Sequence, residues 1–161
     1  MGTPEKIQCD FLIPVIRCWW HDLLMFTLHP LLAADTIEIA TWGVSRVRLM
    51  KDANYPWLLL IPARAGLTGM HQLNAADATT VMSEISLASR ALDMIYTPAR
   101  INVAALGNVV PQLHIHVIAR FEDDPAWPGP VWGTGLAQDY SDEKLQRTLA
   151  SVKQALLDCA P

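Results

Sequence analysis

The sequence predicts a single α+β domain in which a five-stranded antiparallel sheet carries two main helices on one face. Three observations lead to this fold class. The chain has 161 residues, 52% hydrophobic and 17% charged, which is enough apolar material for one core and too little charge for a disordered chain. Its hydrophobic pattern changes in the order strand, strand, strand, helix, strand, strand, helix. The connections are short, which favours antiparallel pairing of neighbouring strands.

The first part of the sheet comes from three segments. Residues 36–42 and 45–50 alternate apolar and polar side chains on either side of Gly43, which predicts a hairpin. After a segment rich in turn formers, residues 57–61 form a continuous apolar run that Pro62 ends. Such a run is typical of a central strand that is covered on both faces.

The second part contains two helices and two strands. Asn74 is a suitable N-cap for a long helix that Pro98 ends, and Ser141 caps a shorter one. Between these helices, residues 100–106 and 112–119 have the pattern of strands. The apolar stripes that define the helices are Val81, Ile85, Ala88, Leu92 and Ile95 in the first, and Leu145, Leu149, Val152 and Leu156 in the second.

Charge and cysteine content exclude several classes of protein. Lys and Arg number 12 and Asp and Glu 16, so the formal net charge is 12 − 16 = −4. This argues against binding of a nucleic acid polymer through a broad basic face, although a small local anion site is allowed. The three cysteines form no CxxC motif, so we expect free structural thiols in a reducing cytoplasm. They are Cys9, Cys18 and Cys159.

Residues 1–24 are interpreted as an N-terminal extension. The apolar stretch over residues 11–26 is interrupted by Arg17 and Asp22, and it is shorter than the roughly 20 apolar residues of a membrane-spanning helix. No small-residue cleavage site follows a clean apolar run, so we expect neither a signal peptide nor a membrane anchor. Two interpretations stay open: an amphipathic extension, or an upstream start with Met25 as the natural first residue.

The residues that carry chemistry lie in the last predicted strand. Side chains alternate along a strand, so this segment presents two different faces. The apolar side chains, expected under the helices, are Leu113, Ile115 and Val117, and the polar ones on the opposite face are Gln112, His114 and His116. Two neighbouring imidazoles are costly to bury without partners, and repulsion between like charges disfavours their simultaneous protonation at neutral pH.

Three interpretations of this pair compete. The first is two half-exposed structural histidines. The second is a cupin-like metal site in which His114 and His116 share an ion with Glu122. No histidine follows His116, however, and a long helix over residues 75–96 does not suit an all-β jelly roll. The third is nucleophilic catalysis, in which a neutral imidazole attacks phosphorus and forms a phosphoramidate that water or another acceptor resolves.

The nucleophilic interpretation assigns different roles to the two rings. His114 needs one free nitrogen, so its other nitrogen must donate to a fixed acceptor such as a backbone carbonyl. His116 can donate to a non-bridging phosphate oxygen. Backbone N–H groups of residues 107–110 can hold the same oxygens, because successive amides in a turn form an anion nest. Charge stabilisation at phosphorus should supply most of the rate.

The segment NVVPQLHIHVIAR resembles the signature of the histidine triad (HIT) family, His-φ-His-φ-His-φ-φ with φ apolar. WLLLIPARAG resembles the strand and Pro-loop before the first long helix of that family, HQLNAAD the opening of the helix, and INVAALGN the strand that leads to the triad loop. The resemblance runs from about Phe26 to Arg120. It implies a HIT-like domain over residues 25–128, with a Trp/Pro-rich loop and a C-terminal helix in residues 129–161 packed on the same domain.

The resemblance also assigns the triad positions. His114 falls on the middle position, which is the catalytic nucleophile of the family, and His116 on the third. Gln112 stands at the first position, where the family has histidine. We reject a register with His114 first, because Val117, Ile118 and Arg120 fit the positions after the third histidine of the family. Glutamine can donate and accept hydrogen bonds but cannot take a charge.

The implied function is a nucleotide hydrolase or nucleotidyl transferase that acts on nucleoside phosphate esters, anhydrides or phosphoramidates through a nucleotidyl-histidine. No cofactor is implied, and the partners are a nucleotide and a second copy in a homodimer. The alternative is a catalytically weak nucleotide-binding or sensing module. The expected phosphate- and nucleotide-binding residues are His116, Gln112, Asn108 and Asn102, with Asp52 and Asn54 near the ribose region. Trp127 and Trp132 either close over a base, pack a dimer interface or pin their loop to the sheet.

Overall fold

The computed structural model describes residues 26–159, so the expectations for residues 1–24 and for Met25 as a start lie outside the described residues. In chain order the elements are α1 (Pro30–Asp35), β1 (Thr36–Thr41), β2 (Ser45–Met50), β3 (Trp57–Pro62), a short 3₁₀ turn (Met70–Gln72), α2 (Ala75–Tyr96), β4 (Arg100–Ala104), β5 (Ile115–Arg120) and α3 (Asp142–Asp158).

The five strands form one antiparallel sheet in the order β1-β2-β3-β5-β4. The predicted fold class is therefore confirmed. β5 lies between β3 and β4, and the register pairs His116 with Leu59 on one side and with Ala104 on the other. The second histidine of the HxH pair is thus held in the middle of the sheet by hydrogen-bonded strands on both sides.

One face of the sheet is covered by α2 and α3. Asn74 caps α2 as predicted, its Oδ1 accepting a hydrogen bond from the N–H of Asp77 at 2.9 Å. Such a cap stabilises a helix by about 1 kcal/mol. The core under the helices includes, from the sheet, Leu58, Leu60, Leu113, Ile115 and Val117, and, from the helices, Val81, Ala88, Leu92, Val152 and Leu156. The predicted direction of the apolar side chains around the histidine pair is confirmed.

The opposite face of the sheet is covered as well. Leu32 of α1 and Ala126 and Val131 of the loop before α3 pack on the strands there. Trp57 and Leu59 of β3 belong to this second cluster. Every residue of β3 and β5 is buried, which explains the continuous apolar run in β3. The polar face of β5 therefore lies in a covered layer and not on an open surface.

Three local predictions differ from the structure. β5 begins at Ile115 and not at residue 112, because the N–H of Leu113 donates to the carbonyl of Leu67 at 2.8 Å and not to a neighbouring strand. β4 ends at Ala104, two residues earlier than expected. The helix α1 was not predicted, since its N-cap is His29, a residue type that is rarely an N-cap.

Candidate active site

The face of the sheet opposite α2 and α3 contains a cavity of ≈ 330 Å³. Trp57 and His116 line it from the sheet, and Leu31 and Leu32 line it from α1. Trp132, in the loop before α3, contributes a further aromatic side chain. The lining is mainly apolar, so the cavity suits a flat, weakly polar group better than a hydrated ion.

His114 lines this cavity immediately before β5 begins. The residue is only 8% exposed, and its Nδ1 lies 2.6 Å from the backbone oxygen of Gln112. A carbonyl oxygen can only accept, so Nδ1 carries the ring proton and Nε2 of the neutral imidazole has a free lone pair. The backbone of the same segment therefore sets the tautomer that a nucleophilic histidine needs.

His116 has the opposite tautomer. The indole Nε1 of Trp57 donates to Nδ1 of His116 at 3.0 Å. An indole N–H can only donate, so Nδ1 of His116 accepts, and Nε2 carries the proton of the neutral ring. The centroids of the His114 and His116 rings are 4.9 Å apart. Two adjacent imidazoles thus differ at Nε2, where one has a lone pair and the other an N–H donor.

The surroundings of His116 keep it neutral. Burial, with a smaller contribution from His114, lowers the pKa of His116 to about 4. The ring is packed between Trp57 and Trp132, whose ring centroids lie 5.3 Å and 5.2 Å from its own. At neutral pH, His116 can therefore donate a hydrogen bond without placing a positive charge beside His114.

Acidification is expected to destabilise the protein through His116. The unfolded ring has a pKa near 6.5, so between pH 6.5 and about pH 4 the unfolded state binds a proton that the native state excludes. The stability from this group is fully present above that window and falls by about 3 kcal/mol as the pH drops through it. Urea unfolding at neutral pH and at about pH 4.5 measures this loss in the free energy of unfolding. An equally steep loss in His116→Gln would exclude His116 as the cause.

The Gln112 carboxamide has partners other than those expected of a phosphate ligand. Its Oε1 accepts from the N–H of His29 at 2.9 Å, and its Nε2 donates to the carbonyl of Thr27 at 2.9 Å. Gln112 is not among the residues that line the cavity. Its backbone oxygen orients His114, whereas its side chain binds the segment that leads into α1.

The two predicted asparagines are separated by the structure. Asn108 lines the cavity, in the loop that joins β4 to β5. Gly107 has a φ of +69°, which gives this loop a turn that other residue types disfavour. Asn102 lies on β4, where its Oδ1 accepts from Nη1 of Arg120 at 2.9 Å, and it does not line the cavity.

Arg120 and Asp124 form a buried ion pair at the end of β5. Nε and Nη2 of Arg120 bind the two carboxylate oxygens of Asp124 at 2.7 Å and 2.9 Å, and Arg120 is 1% exposed. The hydrogen bonds from Arg120 hold the pKa of Asp124 below its ordinary value. The guanidinium lies 5.9 Å from the ring centroid of Trp127. Trp127 therefore packs on this pair, whereas Trp132 packs on His116.

Asp52 and Asn54 organise a turn away from the cavity. Oδ1 of Asp52 accepts from the N–H groups of Asn54 and Gln138 at 3.0 Å and 3.1 Å. Nδ2 of Asn54 donates to the carbonyl of Leu136 at 3.2 Å. Neither residue lines the cavity, so the structure does not place them where a ribose contact was expected.

Sequence reasoning missed Trp57 and α1 as parts of the site. The signal for Trp57 is its position on β3, because residues 57, 59 and 61 share the sheet face of His116. The signal for α1 is Pro30, since proline is favoured in the first turn of a helix. Neither signal indicates contact with the histidines by itself.

A second cavity, of ≈ 450 Å³, adjoins the first through residues 106–107 and His114, which line both. Residues 68–71 line its other side. The imidazole of His71 lies against Gly69 so closely that a Cβ at residue 69 would be 2.7 Å from the ring. Glycine is therefore required at position 69 as long as the ring keeps this place.

The arrangement of the described residues bears on two other interpretations. No group of three or more His, Cys, Asp or Glu side chains within residues 26–159 is arranged to hold a metal ion, so the cupin-like interpretation has no ligand set there. In the same range, no helix combines the length and the apolar character needed to cross a bilayer.

Comparison with known families decides the classification. The family profile described as "HIT domain" matches residues 35–123, more than half of the chain. The chain belongs to the histidine triad (HIT) family. The matched range includes all five strands of this HIT protein together with His114 and His116. It excludes most of α1 and all of Trp132 and α3, so part of the cavity wall lies outside the family profile.

Solved structures of HIT proteins are similar over nearly their whole length. A histidine triad protein from Bradyrhizobium japonicum is 42% identical, with a TM-score of 0.80, 82% of this chain and 98% of that chain covered. A HIT protein from Sinorhizobium meliloti 1021 is 41% identical, with a TM-score of 0.80 and coverages of 83% and 98%. One from Marinobacter aquaeolei VT8 is 38% identical, with a TM-score of 0.81 and coverages of 84% and 99%. A search of curated proteins gives no significant match. Family membership supports a nucleotide-binding or hydrolase-type function in general.

Proposed function

We propose that this HIT protein is a nucleotide hydrolase or nucleotidyl transferase that acts through a covalent nucleotidyl intermediate on His114. The observation that carries the proposal is the pair of opposite tautomers: Nδ1–H of His114 faces a carbonyl, and Nδ1 of His116 faces an indole N–H. Nucleophilic attack needs a lone pair at Nε2 of the first ring, and phosphate binding needs a proton at Nε2 of the second.

The chemical step is a double displacement at phosphorus. Nε2 of His114 attacks, an N–P bond forms, and the bond from phosphorus to the leaving group breaks with its electron pair on the leaving group. The positive charge that develops on the imidazole is stabilised by the hydrogen bond from Nδ1 to the Gln112 carbonyl. Water, or another acceptor, then attacks phosphorus, loses a proton and releases the neutral imidazole.

The phosphate oxygens are bound by His116, by Asn108 and by backbone N–H groups of residues 107–110. Asn108 and this loop line the same cavity as both histidines, which supports the assignment. Such donors act where charge develops in the transition state. Asn102 is left out of the site because its Oδ1 is occupied by Arg120, and Gln112 because its carboxamide binds the backbone of Thr27 and His29.

The nucleoside occupies the apolar part of the cavity. Trp57, Trp132, Met50 and Leu59 supply aromatic and aliphatic surface for a base, and most of the other lining residues are apolar as well. We therefore expect weak discrimination between bases, since hydrogen-bonding groups are what separate similar ligands most strongly. Asp35 lines the same cavity from the end of α1, where its carboxylate can accept from the ribose hydroxyls.

Asp35→Asn is expected to weaken binding of ribonucleotides by roughly tenfold or more, because the variant replaces charge-assisted hydrogen bonds with neutral ones. Binding of the corresponding 2′,3′-dideoxynucleotides should stay within roughly threefold. Calorimetric titration of AMP and dideoxy-AMP measures both. An equal loss for the two ligands would show that Asp35 does not contact the ribose.

The function is tested with a panel of dinucleoside polyphosphates, nucleoside phosphoramidates and nucleotide sugars. Wild type and His114→Ala are compared in single-turnover reactions, where release of the leaving group and of the nucleoside monophosphate are followed separately. The proposal predicts turnover of at least one class by the wild type and none by the variant. Equal turnover by both proteins would contradict the mechanism.

The alternative is a nucleotide-binding or sensing module, and Gln112 is the observation that favours it. Gln112 stands where the HIT signature has its first histidine. Its carboxamide binds backbone groups of Thr27 and His29, outside the cavity. AMP binding by the wild type in calorimetry, together with neither product nor covalent adduct from any substrate of the panel, would favour the module.

The protein is further proposed to act in the cytoplasm, as its cysteine content indicates, and as a homodimer, as its resemblance to the family implies. β4 is an edge strand of the sheet, and Val103 on it is 47% exposed, which is compatible with contact to a second copy. Light scattering of the full chain would give twice the monomer mass. A monomer mass at the concentration of the assays would contradict the dimer.

A further inference from the structure

The two hydrogen bonds of the Gln112 carboxamide have the pattern of a strand pairing. The same side chain accepts from the N–H of His29 and donates to the carbonyl of Thr27, two residues earlier. An amide that binds residues i and i+2 in this way imitates the N–H and C=O of a single residue in a parallel neighbouring strand. The side chain therefore joins parts of the chain that are 83 and 85 residues apart.

The residue type at position 112 is restricted by this contact. A carboxylate has no proton for the Thr27 carbonyl, and an aliphatic side chain has neither donor nor acceptor. The two nitrogens of an imidazole point in divergent directions, so they do not match the parallel donor and acceptor of an amide. Glutamine at the first triad position thus has a structural partner that histidine would not satisfy in the same way.

The bound segment continues into the wall of the cavity. We refer to residues 27–35 as the N-terminal strap. His29 accepts the N–H of Leu31 with its Nδ1 and so caps α1, which begins without an intervening loop. Leu31, Leu32 and Asp35 of the strap line the cavity. Anchoring of Thr27 and His29 therefore fixes the position of one wall of the cavity.

Gln112 also contacts the nucleophile. Its backbone oxygen accepts from Nδ1 of His114 at 2.6 Å, while its side chain holds the strap. One residue thus connects the wall of the nucleoside cavity with the ring that attacks phosphorus. Among residues 26–159, the other side chains that bind the strap backbone, such as those of Thr36 and Lys51, do not bind a ring nitrogen of His114 or His116.

We propose that Gln112 is a positioning residue whose carboxamide anchors the N-terminal strap over the nucleoside cavity and so determines nucleotide affinity, without binding the phosphate. The proposal rests on the proposed function, because it assumes that the cavity holds a nucleoside. It predicts that changes at this side chain act on nucleotide binding and on the strap, and that they leave the chemical step nearly unchanged.

The test compares Gln112→Glu with wild type in the full chain. The substitution keeps the size and the acceptor but removes the donor and places a carboxylate against the Thr27 carbonyl. Gln146→Glu, at an exposed position on α3, is the control for the added charge. Hydrogen exchange of peptides that cover the strap is measured without any ligand, and AMP binding and single-turnover rates are measured on the same samples.

At neutral pH we expect exchange in the strap to accelerate by roughly tenfold or more in Gln112→Glu and to remain unchanged in the control. The dissociation constant for AMP should rise by a similar factor, while the single-turnover rate at saturation stays within roughly threefold of wild type. Protonation of the introduced carboxyl at acidic pH supplies an O–H donor again, so strap protection relative to wild type should recover there.

Other results would overturn the proposal. Unchanged exchange in the strap would show that Gln112 does not anchor it. Faster exchange with unaltered AMP binding would show that the strap does not determine affinity. A large loss of the single-turnover rate at saturating substrate, with slow hydrogen exchange in the strap as in the wild type, would indicate that the Gln112 side chain contacts the phosphate. Failure of the wild type to bind or turn over any nucleotide would contradict the proposed function, whereas the exchange result decides the anchoring independently.

Discussion

Replacing His114 with asparagine is expected to reduce turnover of nucleotide substrates by roughly 10⁴-fold or more and to leave the fold intact. The variant keeps a donor for the Gln112 carbonyl but has no lone pair that can attack phosphorus. Single-turnover kinetics with the best substrate of the panel measure the loss. Urea unfolding of the same sample verifies that the protein is folded.

Two further histidine variants make this result specific. His116→Asn should lose less, roughly 10²- to 10³-fold, because it removes the Nε2 donor to phosphate and not the nucleophile. His71→Asn changes an exposed histidine that lines the second cavity but not the apolar one, and it should retain the wild-type rate. A His114→Asn variant that is as active as His71→Asn would rule out catalysis by His114.

Arg120→Leu is expected to destabilise the protein by about 3–5 kcal/mol, because it leaves the buried carboxylate of Asp124 without its cation. Asp124 keeps hydrogen bonds from the N–H groups of Phe121 and Ala126, but these do not neutralise its charge. The variant also removes the donor to Asn102 and the cation beside Trp127. Urea unfolding measures the difference in free energy of unfolding.

The matched control for this prediction is an exposed ion pair. Arg147 and Glu143 interact at 2.6 Å on the solvent side of α3, and Arg147→Leu should change stability by about 0.5 kcal/mol or less. Combining Arg120→Leu with Asp124→Leu should cost less than Arg120→Leu alone, since the second change removes the unpaired charge. If Arg120→Leu is no less stable than Arg147→Leu, the ion pair of Arg120 and Asp124 has no role in stability.

The sheet and its two helices follow from local rules and were predictable. Alternation around His114 and His116 gave the two faces of β5, and the same rule places Trp57 on the histidine face of β3. The antiparallel order follows from short connections. Hydrophobic periodicity thus predicts which side chains share a layer, because burial of one face is what stabilises each element.

The site contains contacts that no local rule predicts. The bond from Trp57 to His116 joins residues 59 apart, and the bonds from Gln112 to the strap join residues more than 80 apart. Sequence reasoning assigned Gln112 to phosphate because of its triad position, but its amide finds its partners in the backbone of Thr27 and His29. Side-chain hydrogen bonds of this kind depend on tertiary packing, which periodicity does not describe.

The boundary of β5 illustrates the same limit. An apolar and polar alternation starts at Gln112, yet the strand starts at Ile115, because Leu113 pairs with the backbone of Leu67. Residues 112–114 therefore lie outside the sheet. There, Nδ1 of His114 contacts the Gln112 carbonyl, and the ring lines the cavity together with residues 106–110. The departure from a regular strand thus creates the geometry on which the proposed chemistry depends.

The stereochemical course of the reaction at phosphorus tests the covalent mechanism most directly. A substrate made chiral at the transferred phosphorus with sulfur and oxygen isotopes is hydrolysed by the wild type in labelled water. Two successive in-line displacements, the first by Nε2 of His114 and the second by water, predict net retention of configuration. Net inversion would show that water attacks the substrate directly, and it would contradict a nucleotidyl-histidine intermediate.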